Sequence, residues 1–270
     1  MVRSDLYADD HHWGDAVIDV DAWDLPALKA RYLLDALPTR GRVLEIGCGS
    51  GRVLNTINHW RPDLSLDGCD IRPLAAPPAA FTFTCVEPSA GTLPYARGTF
   101  DAVVLFDVLE HAVDPAAMLA MTHDVLAPGG LLVSFTPLED QPLSFYRLYR
   151  RWLGDDLYVG TKEHLHAFSE AALRSLVAAR FTIRDITFAY HLLGHLMDAT
   201  LFALVKLPLI RARFWDSNPY YRETSAAAVP SRSAFGVLLR VANAIAYWES
   251  RLLRRTALGA AGMLFTAIPR

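Results

Sequence analysis

The sequence predicts an α/β fold built on a mostly parallel sheet, and three observations carry that expectation. Between residues 42 and 136, short apolar runs alternate with helix-like segments, the order of strands joined by crossover helices. A glycine-rich turn, Gly47-Cys48-Gly49-Ser50-Gly51, directly follows the first apolar run. The 270 residues are 52% hydrophobic with 26 basic against 29 acidic side chains, a balance that excludes a disordered chain and is ample for a full core.

Arg42–Gly47 reads as the first strand, Ser50–Trp60 as a helix and Leu64–Asp70 as the second strand. Pro73, Pro77 and Pro78 remove donors from Ile71–Ala80, so at most one helical turn survives there. Phe81–Val86 and Phe100–Phe106 read as the third and fourth strands. Pro115–Leu126 has helical periodicity with Asp114 as its N-cap, and Pro128-Gly129-Gly130 is a breaker and turn before the fifth strand, Leu131–Thr136. A helix at Ser169–Ala179 and a strand at Phe181–Tyr190 follow, and Gly262–Ile268 closes the chain as a last strand. The connection between those two strands, about seventy residues, exceeds an ordinary loop and must fold. It reads as helices over His191–Ile210 and Phe235–Leu253 with an irregular Trp215–Pro230 between. The second helix places Phe235, Leu238, Leu239, Ala242, Ile245, Ala246 and Leu253 near helical spacing, a face that can serve as core, dimer contact or lipid-facing surface. One domain results: an N-terminal cap segment (1–40), a core (41–136), a substrate-side segment (137–190), a helical insertion (191–260) and the last strand (261–270).

The formal charge of -3 argues against a dedicated nucleic-acid binder, which needs a basic field. The ends differ in sign: residues 1–30 carry seven Asp against Arg3 and Lys29, while 191–270 carry ten Lys and Arg against four acids. Opposite signs favour packing of the two ends. Three cysteines, 48, 69 and 85, have no metal-type spacing and are an odd number, which points to a reducing compartment. The Asp-rich start has no basic stretch and apolar core, so no signal peptide is expected and a cytoplasmic location is. His191–Ile210 approaches the length of a membrane span, but His195, Asp198, Lys206 and Pro208 disfavour spanning. Peripheral membrane contact through 191–260 and a homodimer remain open.

The glycines of the first turn let a ligand approach the backbone, and the helix behind them offers free N–H groups. Their Gly-x-Gly-x-Gly spacing departs from the Gly-x-Gly-x-x-Gly of nicotinamide dehydrogenases, and Glu45 is atypical of that fingerprint. Glu45-Ile46-Gly47-Cys48-Gly49-Ser50-Gly51 resembles the first motif of class I S-adenosylmethionine-dependent methyltransferases. Asp70 at the end of the second strand, Phe100–Pro115 with its Phe106-Asp107-Val108-Leu109-Glu110-His111, and Leu126–Ser134 agree in order. The fourth-strand segment is similar to the branch of ubiquinone-type O-methyltransferases and natural-product or sugar methyltransferases. Glu163-His164-Leu165-His166-Ala167-Phe168-Ser169 also matches that branch. The resemblance covers roughly residues 40–190 and the last strand.

The resemblance implies a Rossmann-like seven-stranded sheet with an antiparallel last strand and S-adenosyl-L-methionine across the carboxyl ends of the strands. It implies that Glu45, Gly47, Cys48, Gly49 and Gly51 border the cofactor in the first loop. Asp70 would accept the ribose hydroxyls with Ile71 beside it, and Phe106, Asp107 and His111 would follow from the fourth strand. In relatives an acidic residue four places before a Leu-Pro-aromatic segment binds the adenine amino group. Here Leu93-Pro94-Tyr95 counts back to Ser89, so the contact falls to Ser89 or Glu87. Plainer readings stand beside these: a solvated strand end for Asp70, packing for Cys48, and a helix-capping role for His111.

A hydroxyl acceptor needs a base, and His111, His164 and His166 are the candidates. No His, Asp and Glu cluster has metal-ligand spacing along the chain, so no metal is expected, and His11-His12 beside Asp9-Asp10 reads as a solvated turn. Tyr7–Trp23 either caps the site or is a loose terminus. The Phe145–Trp152 run holds arginines that suit a phosphate or carboxylate, or face solvent. The expected activity is methyl transfer to a small-molecule, sugar or lipid-linked acceptor, with oxygen favoured over nitrogen or carbon. A non-catalytic cofactor-binding module and a dehydrogenase are the rivals.

Overall fold

The computed structural model describes residues 16–74, 76, 78–87, 91–153, 164–197 and 234–270. Its elements run α1 (Leu25–Ala36), β1 (Gly41–Ile46), α2 (Arg52–Trp60), β2 (Leu64–Asp70), β3 (Thr82–Cys85), β4 (Phe100–Phe106) and α3 (Pro115–Val125). They continue with β5 (Leu126–Pro137), α4 (Phe145–Leu153), α5 (Glu170–Ala178), β6 (Phe181–Ala189), α6 (Ala234–Leu252) and β7 (Gly262–Pro269). The seven strands form one sheet in the order β3-β2-β1-β4-β5-β7-β6. β1 to β5 pair in parallel, and β7 runs antiparallel to both β5 and β6. The strand order reverses between β1 and β4, the switch point at which open α/β sheets bind ligands.

The central strands read as continuous apolar runs because both of their faces are buried. Leu44, Val103, Leu132 and Phe265 belong to one core with Leu119 of α3 and Leu173 of α5. Their neighbours Val43, Val104, Val133 and Leu264 face the opposite core, with Leu33 of α1 and Leu54 of α2. The two-residue period of each strand therefore feeds two helical layers. Tyr247 of α6 joins the α1–α2 side, so the last helix of the insertion packs on the sheet's body.

Several expectations shift. Helix α1 lies inside the segment read only as a cap; Asp24 accepts from Ala27 N as its N-cap, with proline in the first turn. β5 starts at Leu126, because Leu126 pairs with Phe100 before the register jumps to Ala102–Leu131. Pro128-Gly129-Gly130 is thus an irregularity within a strand and not a turn before one. Of the expected helix His191–Ile210, residues 192–197 are helical, His191 precedes the helical turns, and residues 198–210, with Trp215–Pro230, lie outside the described residues. Ile245 of α6, grouped by spacing with the apolar face, is half exposed, because α6 buries Ala246, Tyr247 and Ser250 instead. Among the described residues no helix is long and apolar enough to cross a membrane. The opposed charges of the chain ends are partly reflected in packing: Arg31 of α1 donates to the Tyr247 hydroxyl, and Trp23 meets Trp248 edge-on with centroids 5.9 Å apart.

Asp114 is the N-cap of α3 as the sequence predicts, accepting from Ala116 N at 2.9 Å and Ala117 N at 3.0 Å. Asp114→Ala is expected to cost about 1 kcal/mol in urea unfolding, the usual loss of a capping side chain. An unchanged midpoint would show that water replaces the cap at no cost.

Candidate active site

The carboxyl ends of β1, β2, β4 and β5 converge on one edge of the sheet, and the loops leaving them carry most of the polar residues singled out above. After β1 the chain turns through Gly47, held at φ 73 with its amide bonded to Cys69 O at 2.8 Å. A Cβ there would meet Val108 Cγ2 at 2.7 Å, so only glycine lets the β1 and β4 loops touch. Gly49 differs. At φ 51 its missing Cβ points where no atom lies within 4 Å, which leaves an open cradle over the backbone. Its amide donates to Asp70 Oδ2 at 2.8 Å, and Arg72 N donates to Asp70 Oδ1 at 3.0 Å. Asp70 therefore joins the glycine loop to the end of β2 and retains acceptor capacity on both oxygens.

Behind the loop Glu45 is buried, and its Oε2 has no hydrogen-bond partner. Burial, then the neighbouring Asp70, push its carboxyl well above the ordinary range, opposed by Lys29. Burial also raises the Cys48 thiol, which removes it as a nucleophile, and lifts Cys69 to about 12. Val86 N bonds to Asp70 O at 2.9 Å, setting exposed Glu87 just past the end of β3. Ser89, the alternative adenine contact, lies outside the described residues. Ile71 follows Asp70 with its carbonyl 3.7 Å from Cys85 Sγ, and Phe106 is buried at the end of β4.

Beyond β4 the backbone turns at Asp107, a non-glycine residue at φ 54. Its carboxylate pairs with Lys29 of α1, whose ammonium also lies 4.0 Å from the Phe135 ring centroid and 5.5 Å from that of Phe106. The Lys29 side chain is only 15% exposed. Sequence reasoning missed this residue; the signal was the Asp24-Leu25-Pro26 helix start that brings α1 under the sheet edge. The helix-capping role read for His111 is not what the structure has. Val108 O accepts from His111 N and Ala112 N in a turn, and α3 begins at Pro115, so His111 caps nothing.

The three histidine candidates divide. His111 and His164 come together edge-on with ring centroids 4.7 Å apart. His164 Nδ1 lies 2.9 Å from Glu139 Oε1, a carboxylate in the β5–α4 loop that sequence reasoning missed. His166 turns away onto Phe168, 5.9 Å between centroids. Both Leu165 N and His166 N donate to Glu110 O, which bends the segment and parts the two imidazoles. Glu110 is 1% exposed, and neither of its side-chain oxygens has a hydrogen-bond partner. Burial foremost, then Asp107 and Glu139, hold its carboxyl well above the ordinary range. Ligand atoms of Glu110, His111 and His164 all lie within 4.8 Å of one another, a grouping that spacing along the chain did not reveal.

Glu45, Asp70, Asp107, Glu110 and Glu139 thus gather at one edge with Lys29 as a facing cation. In the Phe145–Trp152 run, now α4, Arg147 Nε lies 3.7 Å from Asp140 Oδ1, while Trp152 is exposed.

A family model described as a methyltransferase domain matches residues 24–180. A ubiquinone biosynthesis O-methyltransferase of Cereibacter sphaeroides is 32% identical over 143 residues, covering 50% of this chain and 57% of that protein. The chain spans about half the length of the curated relatives it matches. Among solved structures, the [4+2]-cyclase SpnF superposes with a TM-score of 0.53 at 19% identity, over 95% of this chain and 86% of that one. Phosphoethanolamine N-methyltransferase 2 of Haemonchus contortus, in complex with S-adenosyl-L-methionine, gives 0.54 at 15% identity, over 89% and 51%. These likenesses show the fold.

Proposed function

The chain belongs to the class I S-adenosylmethionine-dependent methyltransferases, and on that premise we propose that it methylates a hydroxyl oxygen of a small-molecule, sugar or lipid-linked acceptor. The observation that carries this reading is the His111–His164–Glu139 group beside a cofactor cradle. The residues present fit the cofactor. Gly49 leaves space over the backbone, Asp70 offers acceptors for ribose hydroxyls, and the unpartnered Oε2 of Glu45 suits a cationic amino end. Lys29 is placed to hold the cofactor's carboxylate. When bound, S-adenosylmethionine supplies an electrophilic methyl group on a sulfonium.

Methyl transfer needs an aligned acceptor, so most of the protein's contribution is positioning. The remainder is a proton. The Glu139 carboxylate lies 2.9 Å from Nδ1 of His164 but off the line of a hydrogen bond, so it acts through its charge, favouring hydrogen on Nδ1 and leaving Nε2 to accept the hydroxyl proton. His111 packs against that ring and fixes its plane. The name of the C. sphaeroides relative supports an oxygen acceptor with an apolar part. Sharing of this fold with a cyclase and an N-methyltransferase means the acceptor must be tested and cannot be taken from the fold. An acceptor screen spanning phenols, sugars, amines and activated carbons, read by S-adenosylhomocysteine production, is expected to select hydroxyl compounds. Turnover confined to amines would overturn the oxygen reading.

A second reading is favoured by the buried, unpartnered oxygens of Glu110 lying beside two imidazoles. A divalent cation held there by Glu110, His111 and His164 would bind the acceptor oxygen and lower its pKa. Turnover unaffected by chelator dialysis favours the imidazole base; turnover lost and restored by a divalent salt favours the cation.

Glu45 links binding to pH. In the empty protein its raised pKa keeps a proton on the carboxyl to higher pH than usual. A cationic group beside it stabilises the carboxylate, so binding lowers that pKa and releases a proton. S-adenosylmethionine affinity is therefore expected to rise with pH through the window between the two values. Calorimetry in buffers of different ionisation enthalpy should show proton release that Glu45→Gln abolishes. Buffer-independent heats in the wild type would contradict it.

A further inference from the structure

Helix α6 lies outside the matched family region, and its outward face is not polar. Val237, Val241, Ile245, Trp248 and Leu252 are all exposed, Trp248 by 52% and Leu252 by 84%. At about 100° per residue these five fall within an arc of about 80°, a stripe running about 22 Å along the helix. The opposite face buries Ala246, Tyr247 and Ser250, so the stripe is not a core face left bare by a loose helix. Exposed Leu192, Leu193 and Leu196 stand on the neighbouring helical turns 192–197, which Glu249 of α6 caps through Leu193 N and Gly194 N at 3.0 and 3.1 Å. The apolar surface is thus shared by two helices and held in place by that cap.

The charge on this stretch of chain is predominantly basic. Residues 234–270 carry Arg240, Arg251, Arg254, Arg255 and Arg270 against the single Glu249, which the cap engages; Arg255 is paired with Asp185 of β6, and Asp21 and Asp24 flank the Trp23 that meets Trp248. On the helical wheel Arg240 lies about 60° beyond one edge of the stripe, where a long side chain reaches a surface on which the stripe rests, while Arg251, about 40° beyond that edge, is held back on Tyr247 with its guanidinium 3.3 Å from that hydroxyl. An exposed apolar stripe with a central tryptophan and flanking arginines is the chemistry of a helix lying in the interface of an anionic bilayer. A second copy of this chain would bring the same arginines face to face across a symmetric contact, which their mutual repulsion opposes.

We propose that α6 and the adjoining turns 192–197 form a peripheral docking surface for anionic lipid membranes. The surface is tied to the site edge through α1. Arg31 of α1 donates to the Tyr247 hydroxyl of α6, and two residues earlier in the same helix Lys29 pairs with Asp107. Docking would therefore hold the acceptor cleft in a fixed relation to the bilayer. The proposal rests on the surface alone and not on the identity of the acceptor.

The test is co-sedimentation of the full chain with phosphatidylglycerol-containing vesicles, against vesicles of pure phosphatidylcholine. Binding to the anionic vesicles alone is expected. The double variant Ile245→Ser/Leu252→Ser should weaken it at least about tenfold, since each side chain forfeits apolar burial in the interface. Arg240→Gln/Arg254→Gln should weaken it about tenfold or more, near the fivefold that each basic side chain contributes beside an anionic surface. The unfolding midpoints of both variants should match the wild type, because these side chains already face water. Wild-type protein that ignores anionic vesicles would overturn the proposal, as would vesicle binding untouched by the apolar pair. Light scattering that shows a dimer which the apolar pair dissociates would assign the face to a second copy instead. Vesicle binding by a protein with no methyltransferase turnover would leave this proposal standing and remove the one above.

Discussion

Asp70→Ala is expected to weaken S-adenosylmethionine binding by about 100-fold or more while the protein stays folded, the equivalent of about 2.7 kcal/mol or more. The carboxylate is placed to accept two ribose hydroxyls, and hydrogen bonds to a charged group are worth about 1.5–3 kcal/mol each. Its second task adds to the loss: without Oδ2 the Gly49 amide has no partner and the loop loses its tie to β2. Gly49→Val separates the ligand effect from that tie. Its φ of 51 costs the variant about 1–2 kcal/mol of stability, but the new Cβ meets no protein atom within 4 Å and enters the open cradle. Gly47→Val serves as the structural control, because there the added atoms strike Val108 and the expected defect is in folding. Calorimetry and the cofactor-induced rise in Tm read all three. Asp70→Ala and Gly49→Val with wild-type affinity would end the assignment of this loop to the cofactor.

The features that were legible in the sequence are those decided within a few residues. Strands β1, β4 and β5 announce themselves because neighbours such as Leu44 and Val43 must both be apolar to feed opposite cores. The glycine turn is local backbone geometry, and Asp114 caps α3 two and three residues from the groups it satisfies. Helix α1 went unread because small residues, Ala27 and Ala30, supply much of its buried face and give a weak periodic signal. Glu139 could not be found that way at all. It reaches His164 only because the chain after β5 is tied to distant segments, Leu138 N to Ala261 O and Asp140 N to Phe168 O. His164 and His166 look equivalent in the sequence until the Glu110 carbonyl, fifty-odd residues upstream by chain count, takes both following amides and bends the segment. The cofactor loop is thus written locally, whereas the acid–base group is assembled by tertiary contacts that leave no spacing to read. The same division explains α6, whose apolar residues are visible in sequence while the face they occupy is decided by what Tyr247 and Ser250 bind.

His164→Ala is expected to lower kcat by about 10²–10⁴-fold, the loss of a general base, with cofactor affinity preserved. Glu139→Gln keeps the shape of the side chain but removes the charge facing Nδ1 of His164, so the imidazole loses the group that orients it. Because the two residues act on one proton, the double variant should fall little below His164→Ala alone; additive losses would mean independent roles. His111→Ala tests orientation and not proton transfer, and should raise KM or lower kcat less than His164→Ala does. His166→Ala should be near wild type, since that ring stacks on Phe168 away from the pair. A more acidic acceptor hydroxyl discriminates further: a substrate already ionised at the assay pH needs no base, and His164→Ala should turn it over at close to the wild-type rate. Equal impairment on ionised and neutral acceptors would assign His164 to holding the acceptor or a cation, and would move catalysis to positioning at the Glu110–His111–His164 group.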